Sequence, residues 1–209
     1  MATNTEFMKI MVKDAEMLWP RLDQPYRYNA QEKKSEACPA TATNAGYSIA
    51  WVMTSDEAKG LFQTLRTHYN AQRELNRKLP EFKQVFGMKK LEDGTVHFTA
   101  KKRAVSGQGK LNKPPVVVGP DLKDLADKAI WSGSRGNIRV QAFPTTDPDG
   151  AGGVSLLLDA VQVVEAKYGG DGLEGDFEIV EADSASGFAA MDADAAVETK
   201  KTELADAEW

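Results

Sequence analysis

The sequence predicts a mainly β protein: a small, partly open barrel of five strands with one substantial α-helix, followed by a disordered C-terminal tail. Short segments of alternating apolar and polar residues recur between Gly-rich turns, which is typical of barrels and sandwiches. One longer segment has helical spacing instead. Beyond residue 170 the chain is acidic and rich in Ala and Ser, so it buries too little apolar surface to offset the entropy of ordering. We therefore expect a folded domain at 1–170 and a tail at 171–209.

The first strands are interrupted by a proline. We expect short strands at Val12–Leu18 and Tyr26–Asn29, separated at Pro20, because a proline disfavours helix in the residue before it. Residues 30–45 are small, polar and charged, which indicates an exposed loop. Tyr47–Met53 interleaves aromatic and β-branched residues with small ones and is a clear strand.

A helix of about 20 residues follows this strand, because the apolar residues from Ala58 onward keep helical spacing. Thr54 or Ser55 can cap its N-terminus. Leu79-Pro80 ends it, and the stretch to Phe86 is expected to add a short second helix. The helix carries several basic side chains that we interpret as a solvated face: Lys59, Arg66, Arg73, Arg77 and Lys78.

The second half of the chain returns to β-structure. Thr95–Arg103 alternates, with Val96, Phe98 and Ala100 on one face and polar residues on the other. Beyond it we expect a loop at 104–113, an extended run at 114–118 and a short capped helix or turn at 121–128. A strand at 137–143, a long loop at 144–153 and a last strand at 154–164 follow. This order of strands around one helix fits an OB-fold barrel best.

Charge is distributed unevenly along the chain. Residues 1–170 carry 24 Lys/Arg against 19 Asp/Glu, whereas residues 171–209 carry 2 Lys against 12 Asp/Glu. The segment 66–113 alone holds 12 basic and 4 acidic residues. A basic domain joined to an acidic tail points to nucleic-acid binding. However, basic runs are more often solvated faces and acidic termini often serve solubility, so charge alone leaves both interpretations open.

Other features of the sequence exclude several classes of protein. No segment approaches the roughly 18 uncharged apolar residues of a membrane span, and the N-terminus lacks the pattern of a signal peptide. We therefore expect an intracellular protein without a membrane partner. Cys38 is the single cysteine, and His68 and His97 are the only histidines. No internal disulfide can form, and neither a zinc site nor a catalytic thiol is expected.

Two runs in the second half resemble a known family. Ile130-Trp-Ser-Gly-Ser-Arg-Gly-Asn-Ile-Arg-Val-Gln-Ala-Phe143 is followed by a Gly-rich loop and then by Gly153-Val-Ser-Leu-Leu-Leu-Asp-Ala-Val-Gln-Val-Val-Glu165. This pattern is similar to the C-terminal half of bacteriophage single-stranded DNA-binding proteins, in which a Gly-Ser-rich turn precedes one barrel strand and a Gly-Val-Ser strand closes the sheet. The resemblance covers roughly 45–168, and an acidic tail ending in an aromatic residue matches the family as well. Trp209 stands where the best-known relatives carry phenylalanine.

The resemblance implies an OB-fold that coats single-stranded DNA without sequence preference during phage replication and recombination, in the cytoplasm of the infected bacterial host. It implies no catalytic step and no cofactor or metal. The tail is expected to dock on replication proteins, polymerase and helicase-primase among them, through Asp206, Glu208 and Trp209. Its carboxylates are also expected to compete with DNA at high effective concentration. The oligomeric state stays open, with a homodimer among the alternatives.

Single-strand binding requires cations along a groove and aromatic faces for the bases. The candidate cations lie on the strand at 95–103, in the following loop and at the start of a later strand: Lys101, Lys102, Arg103, Lys110, Lys113, Arg135 and Arg139. The candidate stacking residues are Tyr47, Trp51, Tyr69, Phe98, Trp131 and Phe143. Strand aromatics are more often core, and the sequence does not decide whether the face shared by Tyr47 and Trp51 is core or groove.

Three other functions remain as alternatives. An RNA-binding or RNA-annealing OB-fold protein would use the same stacking and phosphate contacts. A metal-dependent nuclease would need acidic ligands such as Asp147, Asp149 and Asp159, although Pro148 and Gly150 indicate that the first two belong to a turn. A structural virion or scaffold protein would leave the basic segment unexplained.

Overall fold

The computed structural model describes residues 7–168, which form nine strands and one helix. The predicted tail at 171–209, with Asp206, Glu208 and Trp209, lies outside the described residues. In chain order the elements are β1 (Met8–Asn29), β2 (Lys34–Ala37), β3 (Gly46–Met53), α1 (Ser55–Leu75), β4 (Phe82–Val85), β5 (Lys89–Lys90), β6 (Val96–Arg103), β7 (Val116–Val118), β8 (Arg135–Thr146) and β9 (Gly152–Glu165).

Five of these strands form a barrel in the order β9-β8-β1-β3-β6. Neighbours along this order are antiparallel. A short parallel contact between β6 and β9, with Lys101 opposite Leu157, closes the ring. The remaining strands extend the sheet at its edges: β4 and β7 beside β9, β5 beside β6, and β2 beside β1. The prediction of a mainly β, five-stranded barrel with one substantial helix is confirmed.

β1 bends at Pro20 instead of ending there. The first half of this 22-residue strand pairs with β8 and the second half with β3. A register shift between Leu18 and Arg21 lies at the change of partner; such bulges bend a strand and increase its twist. Proline is tolerated at a bulge because no ladder hydrogen bond needs its missing N–H. The two short strands predicted in this region are therefore parts of one strand.

Three other boundaries differ from the prediction. Lys34–Ala37, within the predicted loop at 30–45, forms β2 as a hairpin with the end of β1. Phe82–Val85, predicted as part of a short helix, forms β4 and pairs in parallel with β9. This pairing is distant in sequence, so local spacing carries no sign of it. The predicted loop at 144–153 is shorter, because only residues 147–151 separate β8 from β9.

The helix α1 begins and ends close to where the sequence predicts. The Thr54 hydroxyl accepts the Glu57 N–H (3.4 Å), while the Glu57 carboxylate accepts the Thr54 N–H (3.0 Å), which is a capping box. The inner face of the helix buries Ala58, Leu65 and Tyr69. The Tyr69 hydroxyl donates to the Pro80 carbonyl (2.9 Å) and so holds the chain that leaves the helix.

Alternation along the strands separates an inner from an outer face. The inward side chains include large groups with no solvent exposure: Met17, Ile49, Trp51, Phe98, Ile138 and Leu158. On β6 the intervening side chains are half-buried or exposed and point outward: His97, Thr99, Lys101 and Arg103. The barrel thus presents a polar outer face on β6. No helix within residues 7–168 combines the length and apolar character of a membrane span.

Candidate nucleic-acid interface

A groove of about 450 Å³ lies where the second half of β1, the strand β2, the start of β3 and the end of β6 meet. We call it the basic groove. Its lining residues are Arg21, Tyr26, Arg27, Tyr28, Ser35, Asn44, Ala45, Gly46, Tyr47, Ser48, Lys101, Lys102 and Arg103. Five of them are cations and none is a carboxylate. This composition favours an anionic, extended ligand with flat groups.

The register of β3 against β6 builds the floor of the groove. Gly46 lies opposite Arg103, and Ser48 lies opposite Lys101. The two strands approach closely at Gly46, where a Cβ atom would lie only 2.7 Å from the Lys102 carbonyl oxygen. A side chain there would push the strands apart, so the glycine keeps the cationic end of β6 against β3. The bulged β1 adds Arg21, which pairs opposite Ser48.

Tyr26 and Tyr28 supply the flat groups of the groove, whereas the predicted stacking residue Tyr47 lines it but is buried in the core. Tyr28 is 65% exposed, so one face of its ring is free for a base. Tyr26 is half-buried, with the Arg21 guanidinium 5.8 Å from its ring centroid and its hydroxyl donating to Asp23 (3.3 Å). Burial raises the pKa of Tyr26 and Tyr47 above the usual value, and the charge of Asp23 acts in the same direction. Both phenols therefore stay neutral at pH 7 and add no negative charge.

Five of the predicted cations lie in or beside the groove. Lys101, Lys102 and Arg103 line it, while Lys110 and Lys113 are exposed in the loop that follows β6. That loop is tied to the groove, since the Asn112 side-chain amide donates to the Arg103 carbonyl (2.9 Å). The Lys102 ammonium donates to the Pro114 carbonyl (3.4 Å). The basic strand end and the loop therefore form one continuous cationic region.

The two arginines of β8 lie elsewhere and are paired with carboxylates. Arg135 binds the Asp14 carboxylate at 2.9 Å, and the pKa of Asp14 is lowered by that hydrogen bond and charge. Arg139 binds Asp159 at 2.7 Å. Neither arginine lines the basic groove. The structure thus does not bring Arg135 and Arg139 together with the cations of β6.

The predicted stacking residues divide between core and surface. Trp51 and Phe98 have no solvent exposure, and their rings stack 5.7 Å apart at 13° inside the barrel. Their assignment to the DNA surface is corrected, because both point inward from their strands. Tyr69 is likewise fully buried. Trp131 is 54% exposed, on the turn before β8 and outside the groove lining.

Sequence reasoning missed the contribution of β1 to the groove. Arg21, Tyr26, Arg27 and Tyr28 all line it, and none was a candidate. The signal was present in the sequence, because basic and aromatic residues interleave between positions 21 and 28. That interleaving is what single-strand binding requires. Pro20 predicts two short strands here, whereas the segment belongs to one long strand that reaches the groove.

The carboxylates proposed for a nuclease have other partners. Asp147 accepts the N–H of Ala151 (2.6 Å) within its own turn and the Gln84 side chain (3.3 Å). Asp159 pairs with Arg139. Residues 7–168 contain no group of three or more acidic, His or Cys side chains with the geometry to hold a metal ion.

A second, mixed-charge cleft of about 610 Å³ lies along α1. Arg66, Arg73 and Arg77 face it together with Glu74 and Glu81. The carboxylates offset most of the positive charge there. The basic groove, with five cations and no lining carboxylate, is therefore the stronger candidate for a polyanion.

Comparisons with known proteins agree with the fold. No protein-family model matches the chain, and no curated protein has a significantly similar sequence. Among solved structures, the single-stranded DNA-binding protein from bacteriophage Enc34 in complex with ssDNA is similar, with a TM-score of 0.55 and 14% identity over 76% of this chain and 87% of that chain.

A second similar structure is gp2.5, a single-stranded DNA-binding protein encoded by bacteriophage T7, with a TM-score of 0.53 and 18% identity over 88% of this chain and 100% of that chain. A C-terminal truncation of the Enc34 protein gives a TM-score of 0.51 at 16% identity, over 76% of this chain and 86% of that chain. At these identities the likeness shows that the chain shares the fold of these phage proteins.

Proposed function

We propose that the chain binds single-stranded DNA without sequence preference and that the basic groove holds the strand. The observation that carries the proposal is the groove lining, with five cations, no carboxylate and an exposed tyrosine ring. Cations neutralise phosphates and release condensed counterions, while an aromatic face stacks on any base. The shared fold with two phage proteins that carry this activity in their names supports the proposal.

The preference for a single strand follows from the stacking surface. A base can lie on the ring of Tyr28 only when it has left the stack of a duplex. The remaining lining groups are suited to phosphate contact and do not form a set of paired donors and acceptors for base edges. Binding therefore depends on an unpaired strand and not on its sequence. Lys110, Lys113 and the exposed Trp131 extend the proposed contact region beyond the groove.

The proposed role is protection of single strands during phage replication and recombination in the cytoplasm of the infected host, with no catalytic step. The tail at 171–209 is proposed to recruit replication proteins through Asp206, Glu208 and Trp209. The tail carries twelve Asp and Glu residues, whereas residues 1–170 have a net positive charge. For this reason we propose a second function for the tail, which is competition with DNA for the basic domain. Deletion of residues 180–209 is expected to raise DNA affinity at low salt; unchanged affinity would contradict this competition.

The direct test is a titration of the full chain with a labelled oligo-dT of about 20 nucleotides and with the matching duplex. Tight binding of the single strand and weak binding of the duplex are expected. If all five lining cations contact phosphates, log affinity falls with log salt at a slope near −3.5, since each single-strand contact contributes about −0.7. A flat salt response or a preference for duplex would refute the proposal. Competition between poly-dT and poly-U separates DNA from RNA as the ligand.

A further inference from the structure

Trp19 has an unusual backbone conformation and an exposed ring. Its φ is +44°, in the left-handed region that bulky residues rarely adopt. Its side chain is 60% exposed, although it lies two residues after the fully buried Met17. Conformations of this kind cost free energy and persist only where the surroundings enforce them. The contacts between Trp19 and its neighbours therefore explain how this backbone conformation is maintained.

Contacts from the turn before β8 hold Trp19 in place. The Trp19 N–H donates to the Ser132 hydroxyl (2.8 Å). The same turn is fastened to β1 by two backbone hydrogen bonds, from Gly133 N–H to the Met17 carbonyl and from Met17 N–H to the Ser134 carbonyl, both 2.8 Å. The bulge in β1 and the turn together turn the indole outward and fix its position.

The indole lies over the outer face of β6. Its ring contacts His97 edge to face, with centroids 5.3 Å apart and an interplanar angle of 82°. His97 belongs to the outward-pointing set that continues through Thr99 to Lys101 and Arg103. At about 3.4 Å per residue, His97 lies roughly 14 Å along the strand from Lys101, where the basic groove begins. One strand of the barrel therefore connects Trp19 to the groove.

We propose that Trp19, supported by His97, is a base-stacking platform that extends the DNA path from the basic groove across the outer face of β3 and β6. This inference rests on the proposed function and adds a second subsite to it. Between the two subsites β3 presents only small groups, Ser48 opposite Lys101 and Ala50 opposite Thr99. Both side chains are small, but Ala50 is itself buried, so the exposed part of the path runs over Ser48 and the outward side chains of β6.

Charge on the far side of the platform supports the same path. Lys89 pairs opposite His97 at the edge of the sheet, and Lys90 follows it; both are exposed. Burial and the charge of Lys89 lower the pKa of His97, so the imidazole under Trp19 is neutral at pH 7. A neutral aromatic support flanked by cations on both sides matches alternating bases and phosphates.

The spacing gives the length of DNA that reaches both subsites. His97 and Arg103 are six residues apart, or about 20 Å along β6. A strand with a stacked rise of about 3.4 Å per nucleotide covers this distance with about six nucleotides, and an extended strand needs fewer. An oligonucleotide of about two nucleotides is too short to span the roughly 14 Å from Lys101 to His97 and occupies the groove alone, whereas one of about 20 contacts Trp19 as well.

The test compares Trp19→Ala with the full chain on these two lengths of oligo-dT. Loss of one stacked base lowers the affinity for the long oligonucleotide about 5- to 150-fold, and affinity for the short one stays within about twofold. Trp19→Phe retains a ring and is expected to restore most of the loss. Leu122→Ala is the matched control, because Leu122 is also exposed with a positive φ (+62°) but lies in the loop between β7 and β8.

Each outcome has a distinct meaning. A loss confined to the long oligonucleotide and restored by phenylalanine supports the platform. Equal affinity of Trp19→Ala for the long oligonucleotide, or an equal loss on both lengths, overturns it while the groove proposal stands. Failure of the unmodified chain to bind either oligonucleotide refutes the proposed function itself. Thermal denaturation of Trp19→Phe checks that the ring substitution leaves the barrel folded.

Discussion

Removing two cations from the basic groove is expected to weaken binding by a calculable amount. Lys101 and Arg103 point outward from β6 and are exposed, so replacing both by alanine removes two phosphate contacts without opening the core. Each contact contributes about 0.7 to the salt slope, so the double variant should have a slope less steep by about 1.4. At 0.1 M salt this is a loss of about 25-fold in affinity, or about 2 kcal/mol.

Fluorescence anisotropy with labelled oligo-dT over a salt series measures both quantities. In a plot of log affinity against log salt, the lines for the variant and the unmodified chain should converge as salt approaches about 1 M. They converge because the binding free energy that the variant loses comes from counterion release. The control Lys123→Ala/Lys128→Ala removes two exposed cations that pair with Asp121 and Asp127 outside the groove. An unchanged slope in the groove variant, or an equal loss in the control, would show that Lys101 and Arg103 do not contact phosphates.

Four further outcomes are expected. Tyr28→Ala should cost about 1–3 kcal/mol of binding free energy in the same titration, whereas Tyr28→Phe keeps the ring and should bind normally; equal losses would exclude stacking. Arg139→Ala should leave affinity unchanged because its guanidinium is held by a carboxylate outside the groove; a large loss would move the interface to β8. Trp51→Ala should lower the free energy of unfolding by about 3–5 kcal/mol and Tm by roughly 6–20 °C in calorimetry, and an unchanged Tm would contradict its place in the core. The pKa of His97 is lowered in the folded chain, so as the pH drops the unfolded chain is protonated at this histidine before the folded chain is. The free energy of unfolding should therefore fall as the pH drops below the ordinary histidine value of 6.5. His97→Gln should reduce that pH dependence in denaturant unfolding, and no change would contradict the assignment.

The parts of the fold that the sequence predicts well are those specified by local patterns. The capping residues and apolar spacing of α1 determine where it begins, and the alternation of 95–103 separates the two faces of β6 correctly. The basic end of this strand is a local feature too. For that reason the sequence predicts Lys101, Lys102 and Arg103 as one cluster of cations, and all three line the basic groove; their contact with DNA stays a prediction.

The errors come from information that is not local. The alternating pattern of a barrel strand shows that it has two faces but not which face is enclosed. The sequence therefore does not decide whether Trp51 lies in the core or on the surface; the interior is defined only by the closure of β6 on β9. Likewise, the position of Arg139 depends on its partner Asp159, which is 20 residues away in the sequence. The groove itself is formed by strands from three parts of the chain. β1 reaches it only because the strand continues beyond Pro20 through a bulge.

Binding of single-stranded DNA in the basic groove is tested most directly by mapping amide chemical-shift changes in the isotope-labelled chain on addition of oligo-dT. We expect the largest changes to cluster in three segments, 21–28, 46–48 and 101–103, which line the basic groove. Changes confined to the outer face of β8 and β9 around Arg139, or to the cleft along α1, would contradict it.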